Sequence, residues 1–102
     1  MAMLHIVNKS PFERNTLASC LDHALEGDAV LLIEDAVIGA VAGAKSATMI
    51  TSALAGKTVY VLGEDLAARG VEQGRLVEGV QVVDYAGFVD LTVEHAKTQS
   101  WL

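Results

Sequence analysis

Four short apolar runs recur along the chain: MLHIV at residues 3 to 7, AVLLI at 29 to 33, TVYVL at 58 to 62 and VQVV at 80 to 83. Each has the length and the aliphatic content of a strand. The second and third are almost uninterrupted in apolar residues, the composition of strands covered on both faces, and such strands are characteristically parallel. Helical patterns lie between the runs. This alternation predicts an α/β fold: a three-layer α/β/α domain around a mostly parallel sheet of four to five strands, joined by right-handed crossovers. No composition shift, linker or repeat divides the 102 residues, so 1–102 reads as a single domain.

Two helices can be placed more closely. In SPFE at 10 to 13, Ser10, Pro11 and Glu13 have the form of a capping box, and Asn15 is a second candidate cap. Gly27 marks the expected stop. At the helical period Leu17, Ala18, Leu21, Ala24 and Leu25 share one arc, which predicts the face that packs on the sheet. Cys20, the only cysteine in the chain, falls at the edge of that arc beside Thr16 and His23, so its thiol is expected to be only partly buried. The last helix is expected over 85 to 97, with Tyr85, Phe88, Leu91, Thr92 and Ala96 inward and Asp90, Glu94 and Lys97 opposite. Trp101, in the closing QSWL, is expected to dock on this chain or a neighbour.

Composition narrows the function classes. With 52% apolar and 20% charged residues and a mean hydropathy of +0.40, the chain holds more apolar matter than one small core consumes, which points to subunit contacts. A net charge of −6 argues against direct nucleic-acid binding, which needs clustered cations to displace counterions. One cysteine permits no internal disulfide and supports no zinc motif. The N-terminus lacks the pattern of a signal peptide, and the weakly charged stretch 36 to 55 carries Lys45 among several Ser and Thr residues, a poor membrane span. A cytoplasmic setting, no membrane and no metal or organic cofactor are the expectations.

Among residues that bear chemistry, Gly39, Ala44, Lys45 and Ser46 come within one substitution of a phosphate-binding loop. The alanine stands where a glycine is needed, and five residues separate Gly39 from the preceding strand, so the segment reads as small-residue helix and loop. Glu34 and Asp35 suit the start of the next helix as well as they suit a metal site. His5 lies within a strand and His95 within an apolar arc, both as satisfied core or interface histidines. His23 follows Cys20 by three residues on the same side of the helix, either as a solvent-facing ring or as a partner that favours thiolate. A reactive thiol needs its pKa lowered by positive charge, and here Asp22 and Glu26 are the near charges. Cys20 is therefore either a small apolar packing residue or a nucleophile activated from elsewhere.

LHIVNKSPF, LLIEDAVIGAV, EDLAARG and DYAGFVDLTVEHAKTQSW, in this order and over nearly the whole chain, resemble the DsrH/TusB family. The resemblance implies a DsrEFH-like fold and a cytoplasmic subunit of a sulfur-relay, sulfurtransferase complex. It implies a heterohexamer with DsrE/TusD-like and DsrF/TusC-like subunits, passing persulfide sulfur to a DsrC/TusE-like carrier. The principal acceptor cysteine would belong to the DsrE/TusD-like partner, with Cys20 as the catalytic candidate in this chain. A cysteine at position 20 favours the DsrH branch, which serves oxidation of stored sulfur. The alternatives are a TusB-type subunit for 2-thiolation of the tRNA wobble uridine, or a purely structural subunit.

Overall fold

The computed structural model describes residues 2–12, 15–95 and 97–101. Five strands, β1 (Met3–Val7), β2 (Ala29–Leu32), β3 (Thr58–Leu62), β4 (Gln81–Val83) and β5 (Lys97–Trp101), form one sheet in the order β4-β3-β2-β1-β5. Every pairing is parallel, with Leu4 opposite Ala29, Ala29 opposite Thr58, Tyr60 opposite Gln81 and Val7 opposite Trp101. Four of these strands lie on the four apolar runs. The fifth has none of their character: its sequence KTQSW is exposed up to the final tryptophan.

The period of two along each strand sorts side chains into two layers. Val7, Val30, Leu32, Val59 and Val61 point to one face, where they meet Leu17, Val37, Ile50 and Leu66. These come from helices α1 (Thr16–His23), α2 (Ala47–Ala53) and α3 (Gly63–Ala68) and from a 3-10 segment, Glu34–Ala40. Leu4, Ala29 and Leu31 point to the other face, covered by helix α4 (Tyr85–Glu94) through Leu91 and Phe88. The expected three-layer α/β/α arrangement is thus present but lopsided.

The first helix departs from expectation at both ends. Ser10 makes a local turn, its hydroxyl accepting from the Phe12 amide at 3.2 Å, while the expected reach-back from Glu13 lies outside the described residues. α1 starts after Asn15, which occupies the cap position without a side-chain capping bond. It ends at His23, four residues before Gly27, because Ala24 turns extended (ψ 140°) and the Asp28 carboxylate accepts from the Leu25 amide at 2.9 Å. Leu25 consequently leaves the packing face and is 72% exposed. Gly27 serves instead in the turn into β2, at φ 89°.

The last helix is also shorter than expected. It is capped by Asp84, whose carboxylate accepts from the Gly87 amide at 2.8 Å, and it ends at Glu94, His95 being already extended (ψ 128°). Leu91 is buried, and Phe88 and Thr92 are half-buried, as the periodicity predicts, but Tyr85 faces outward. Ala96 lies outside the described residues. Trp101 docks on this chain, as anticipated for the tail.

Candidate functional site

Cys20 sits in the interior, with none of its surface exposed. The expectation of a half-open thiol at the helix edge is therefore corrected. α1 rests on the sheet through Leu17 and Cys20, with Ala24 buried just past its end and Leu21 half-buried against the same core, so the buried face keeps Leu17 and Ala24 of the expected arc but turns toward Cys20. The cause is the early end of the helix: with Leu25 released, the stripe that includes Cys20 makes the larger buried contact.

The electrostatic surroundings differ from the sequence expectation as well. Burial pushes the Cys20 thiol up to about 12, the Asp28 carboxylate adds to that rise, and Lys57 opposes it. Asp28 and Lys57, distant in sequence, replace Asp22 and Glu26 as the charges that matter. Lys57 lines a groove of about 350 Å³ between α1 and α2, together with Leu21, Asp22 and Met49, and Cys20 is not part of its wall.

His23 does not serve Cys20. Its ring lies on the exposed side of α1, where Nδ1–H donates to the Ser19 carbonyl at 2.8 Å, and it packs against the Trp101 indole at 5.5 Å between ring centroids. His95 is satisfied locally: its Nδ1–H donates to the Leu91 carbonyl at 2.7 Å.

His5 belongs to a buried polar cluster that was not foreseen as a unit. The Trp101 Nε1–H donates to His5 Nδ1 at 3.1 Å. Because an indole can only donate, Nδ1 must carry the lone pair, and the proton resides on Nε2. Nε2–H then donates to Asp28 Oδ2 at 2.9 Å. Asp28 also accepts from the Met3 amide at 2.9 Å and from the Leu25 amide. Burial pushes the Asp28 carboxyl up, but the Leu25 and Met3 amides and the His5 ring together outweigh it and hold the group below its ordinary value. One carboxylate thereby ties β1, the end of α1, the start of β2 and, through two rings, β5. The sequence carries a faint sign of this: a histidine inside an apolar strand needs a partner, and an aspartate next to a turn glycine precedes the neighbouring strand.

The remaining candidates resolve into structural roles. Gly39 lies in the 3-10 segment, where an added Cβ would stand 3.0 Å from Pro11 Cγ and 3.2 Å from Leu17 Cδ2. The buried Ser46 hydroxyl donates to the Gly39 carbonyl at 2.7 Å, so the near-match to a phosphate loop is a packing joint. Glu34 and Asp35 open the 3-10 segment. Asp65 accepts from the Glu34 amide at 2.7 Å, and Asp35 pairs with Arg69 at 2.9 Å. Among the described residues no group of three or more His, Cys, Asp or Glu side chains converges as metal ligands would. A wider groove of about 640 Å³ lies at the carboxyl ends of β3 and β4, bordered by Gly63, Glu64, Asp84 and Gly87. Its carboxylates are engaged at the start of α4, Glu64 accepting from the Tyr85 amide at 3.3 Å and Asp84 from Gly87. No helix among the described residues is long and apolar enough to cross a membrane.

Known proteins resemble the chain over nearly its full length. The chain is 38% identical over 99 residues to Protein TusB of Escherichia coli O1:K1 / APEC, covering 97% of this chain and 100% of that protein. It is 39% identical over 101 residues to Protein TusB of Klebsiella pneumoniae (strain 342), with the same coverage. Two solved structures share the fold. The ychN protein from E. coli superposes with a TM-score of 0.83 at 16% identity, over 98% of each chain. MTH1491 from Methanobacterium thermoautotrophicum superposes at 0.67 and 18% identity, over 94% of this chain and 95% of that one. The family model described as DsrH like protein matches residues 9–98. With this match and the end-to-end TusB relatives, the chain belongs to the DsrH/TusB family.

Proposed function

We propose that the chain is a TusB-type subunit of a cytoplasmic sulfur-relay complex serving 2-thiolation of the tRNA wobble uridine, and that it works there as a scaffold. The observation that carries this reading is the end-to-end match to proteins named TusB. Family resemblance supplies the rest: DsrE/TusD-like and DsrF/TusC-like subunits in a heterohexamer, and a DsrC/TusE-like carrier that receives the sulfur. In such a relay a thiolate attacks the outer sulfur of a donor persulfide, that sulfur's bond to the donor breaks, and the donor leaves as a thiolate. The attacking group must be ionised and reachable. Cys20 is enclosed, with its pKa raised to about 12, which favours packing for this residue and leaves the acceptor thiol to the DsrE/TusD-like subunit.

A second reading keeps the DsrH branch, with sulfur oxidation as the task and Cys20 as a carrier, and rests on the presence of a cysteine at this position. Deleting the gene and measuring wobble 2-thiouridine by mass spectrometry of tRNA separates the two. Loss of the thiolated base is expected; its retention, with impaired oxidation of stored sulfur, would favour the DsrH branch. For Cys20, the assembled complex is given a persulfide donor and each subunit is weighed. No gain of one sulfur atom on this chain, and unchanged delivery to the carrier by Cys20→Ala, are expected. A one-sulfur adduct that Cys20→Ser abolishes would make Cys20 a carrier.

A further inference from the structure

Helix α4 has two apolar sides. Leu91 and Phe88 face the sheet, while Tyr85, Val89 and Val93, spaced four apart, form a second stripe that is 56%, 59% and 78% exposed. A helix that served only to cover this face of the sheet would be polar outward. One flank of the stripe carries Asp90 and Glu94, both exposed, and Asp84 and Glu64 stand at the helix start; residues 85–94 contain no lysine or arginine.

That charge pattern selects among occupants. If two copies of the chain paired α4 antiparallel about a two-fold axis, Asp90 and Glu94 of both would fall on the same side and repel. If they paired parallel, the acidic flank would face the side of the other helix that carries Thr92 and Tyr85, neither of which is cationic. We propose that the outward face of α4 docks a different protein, one whose surface is apolar at its centre and edged with Lys or Arg that meet Asp90 and Glu94. The inference rests on the reading of the chain as one subunit of a hetero-oligomer, and it assigns the surface through which a partner subunit is held. Apolar contact at the centre provides the affinity, and the acidic flank provides register and discrimination against self-pairing.

The test co-expresses the full chain with its cognate DsrE/TusD-like and DsrF/TusC-like subunits and measures association by titration calorimetry, with light scattering for mass. Val93→Glu and Val89→Ser are expected to weaken association by at least about tenfold while leaving the circular dichroism spectrum unchanged. Asp90→Lys combined with Glu94→Lys is expected to weaken it and flatten its salt dependence. Leu25→Ser, an exposed apolar change elsewhere, serves as the control with no effect. Wild-type affinity in Val93→Glu overturns the proposal, as does a dimer of the chain alone that Val93→Glu abolishes. If the wild-type chain joins neither subunit, the sulfur-relay reading fails and takes this inference with it.

Discussion

Asp28 concentrates more of the fold in one side chain than any other polar residue described above. Its oxygens accept from Met3, Leu25 and His5, so Asp28→Asn would turn an amide N–H toward at least one of these donors. We expect a loss of about 2–4 kcal/mol at neutral pH, the range for breaking a buried charged network. The pH dependence has a definite sign. The folded carboxyl is held below its ordinary value, so its contribution is present above the unfolded carboxylate pKa of about 3.9 and is lost as pH falls through the folded value. Urea melts should show the wild type losing stability across that acid limb and the variant losing less. Cys20 behaves in the opposite sense: its raised pKa means that the unfolded thiol ionises first, so its contribution fades as pH rises from about 8.5 toward 12. The burial of Cys20 was not legible in the sequence because a shift of one helical position decides it, and that shift depends on where Asp28 stops the helix.

At the scale of elements, the four apolar runs announced their strands, since short stretches dense in β-branched and aliphatic residues leave an unmistakable pattern even where, as in the edge strand β4, the residues end half-buried or exposed. β5 left no such pattern. Lys97, Thr98, Gln99 and Ser100 are exposed and contribute little beyond backbone pairing to β1, so the strand is held by Trp101 alone among its side chains. Trp101→Ala removes the indole's contact with His23 and its hydrogen bond to His5. A cost of about 2–3 kcal/mol is expected, together with faster hydrogen exchange at the β1 amides that pair with β5; unaltered β1 protection would show that the strand has another anchor. Gly39 illustrates the converse, a residue whose small size resembled a ligand loop and is required by Pro11 and Leu17 instead. Gly39→Ala should cost about 1–3 kcal/mol through overpacking, measured by thermal or urea melts.

For the whole molecule, the lopsided layering sets a gradient of stability. β2 is central and buried along its full length, whereas β4 and β5 are the sheet's edges. Native-state hydrogen exchange should therefore find Val30, Leu31 and Leu32 opening only with global unfolding, while β5 opens at lower free energy. An order reversed between β2 and β5 would contradict this assignment of the core. The apolar surplus read from composition is unevenly spread: among the described residues, three of the five large exposed hydrophobic side chains lie on α4. Composition could report the excess but not its address, because the outward stripe of a helix cannot be told from its inward one until the sheet is in place.

The seam between the first and last strands also has an optical consequence. Trp101 is the only tryptophan in the chain, and its indole lies against two imidazoles, one of which accepts its N–H. The intrinsic fluorescence of this protein should therefore change colour when the seam parts and the indole leaves the two rings for water. The molecule thus reports on the attachment of its own edge strand without any added dye.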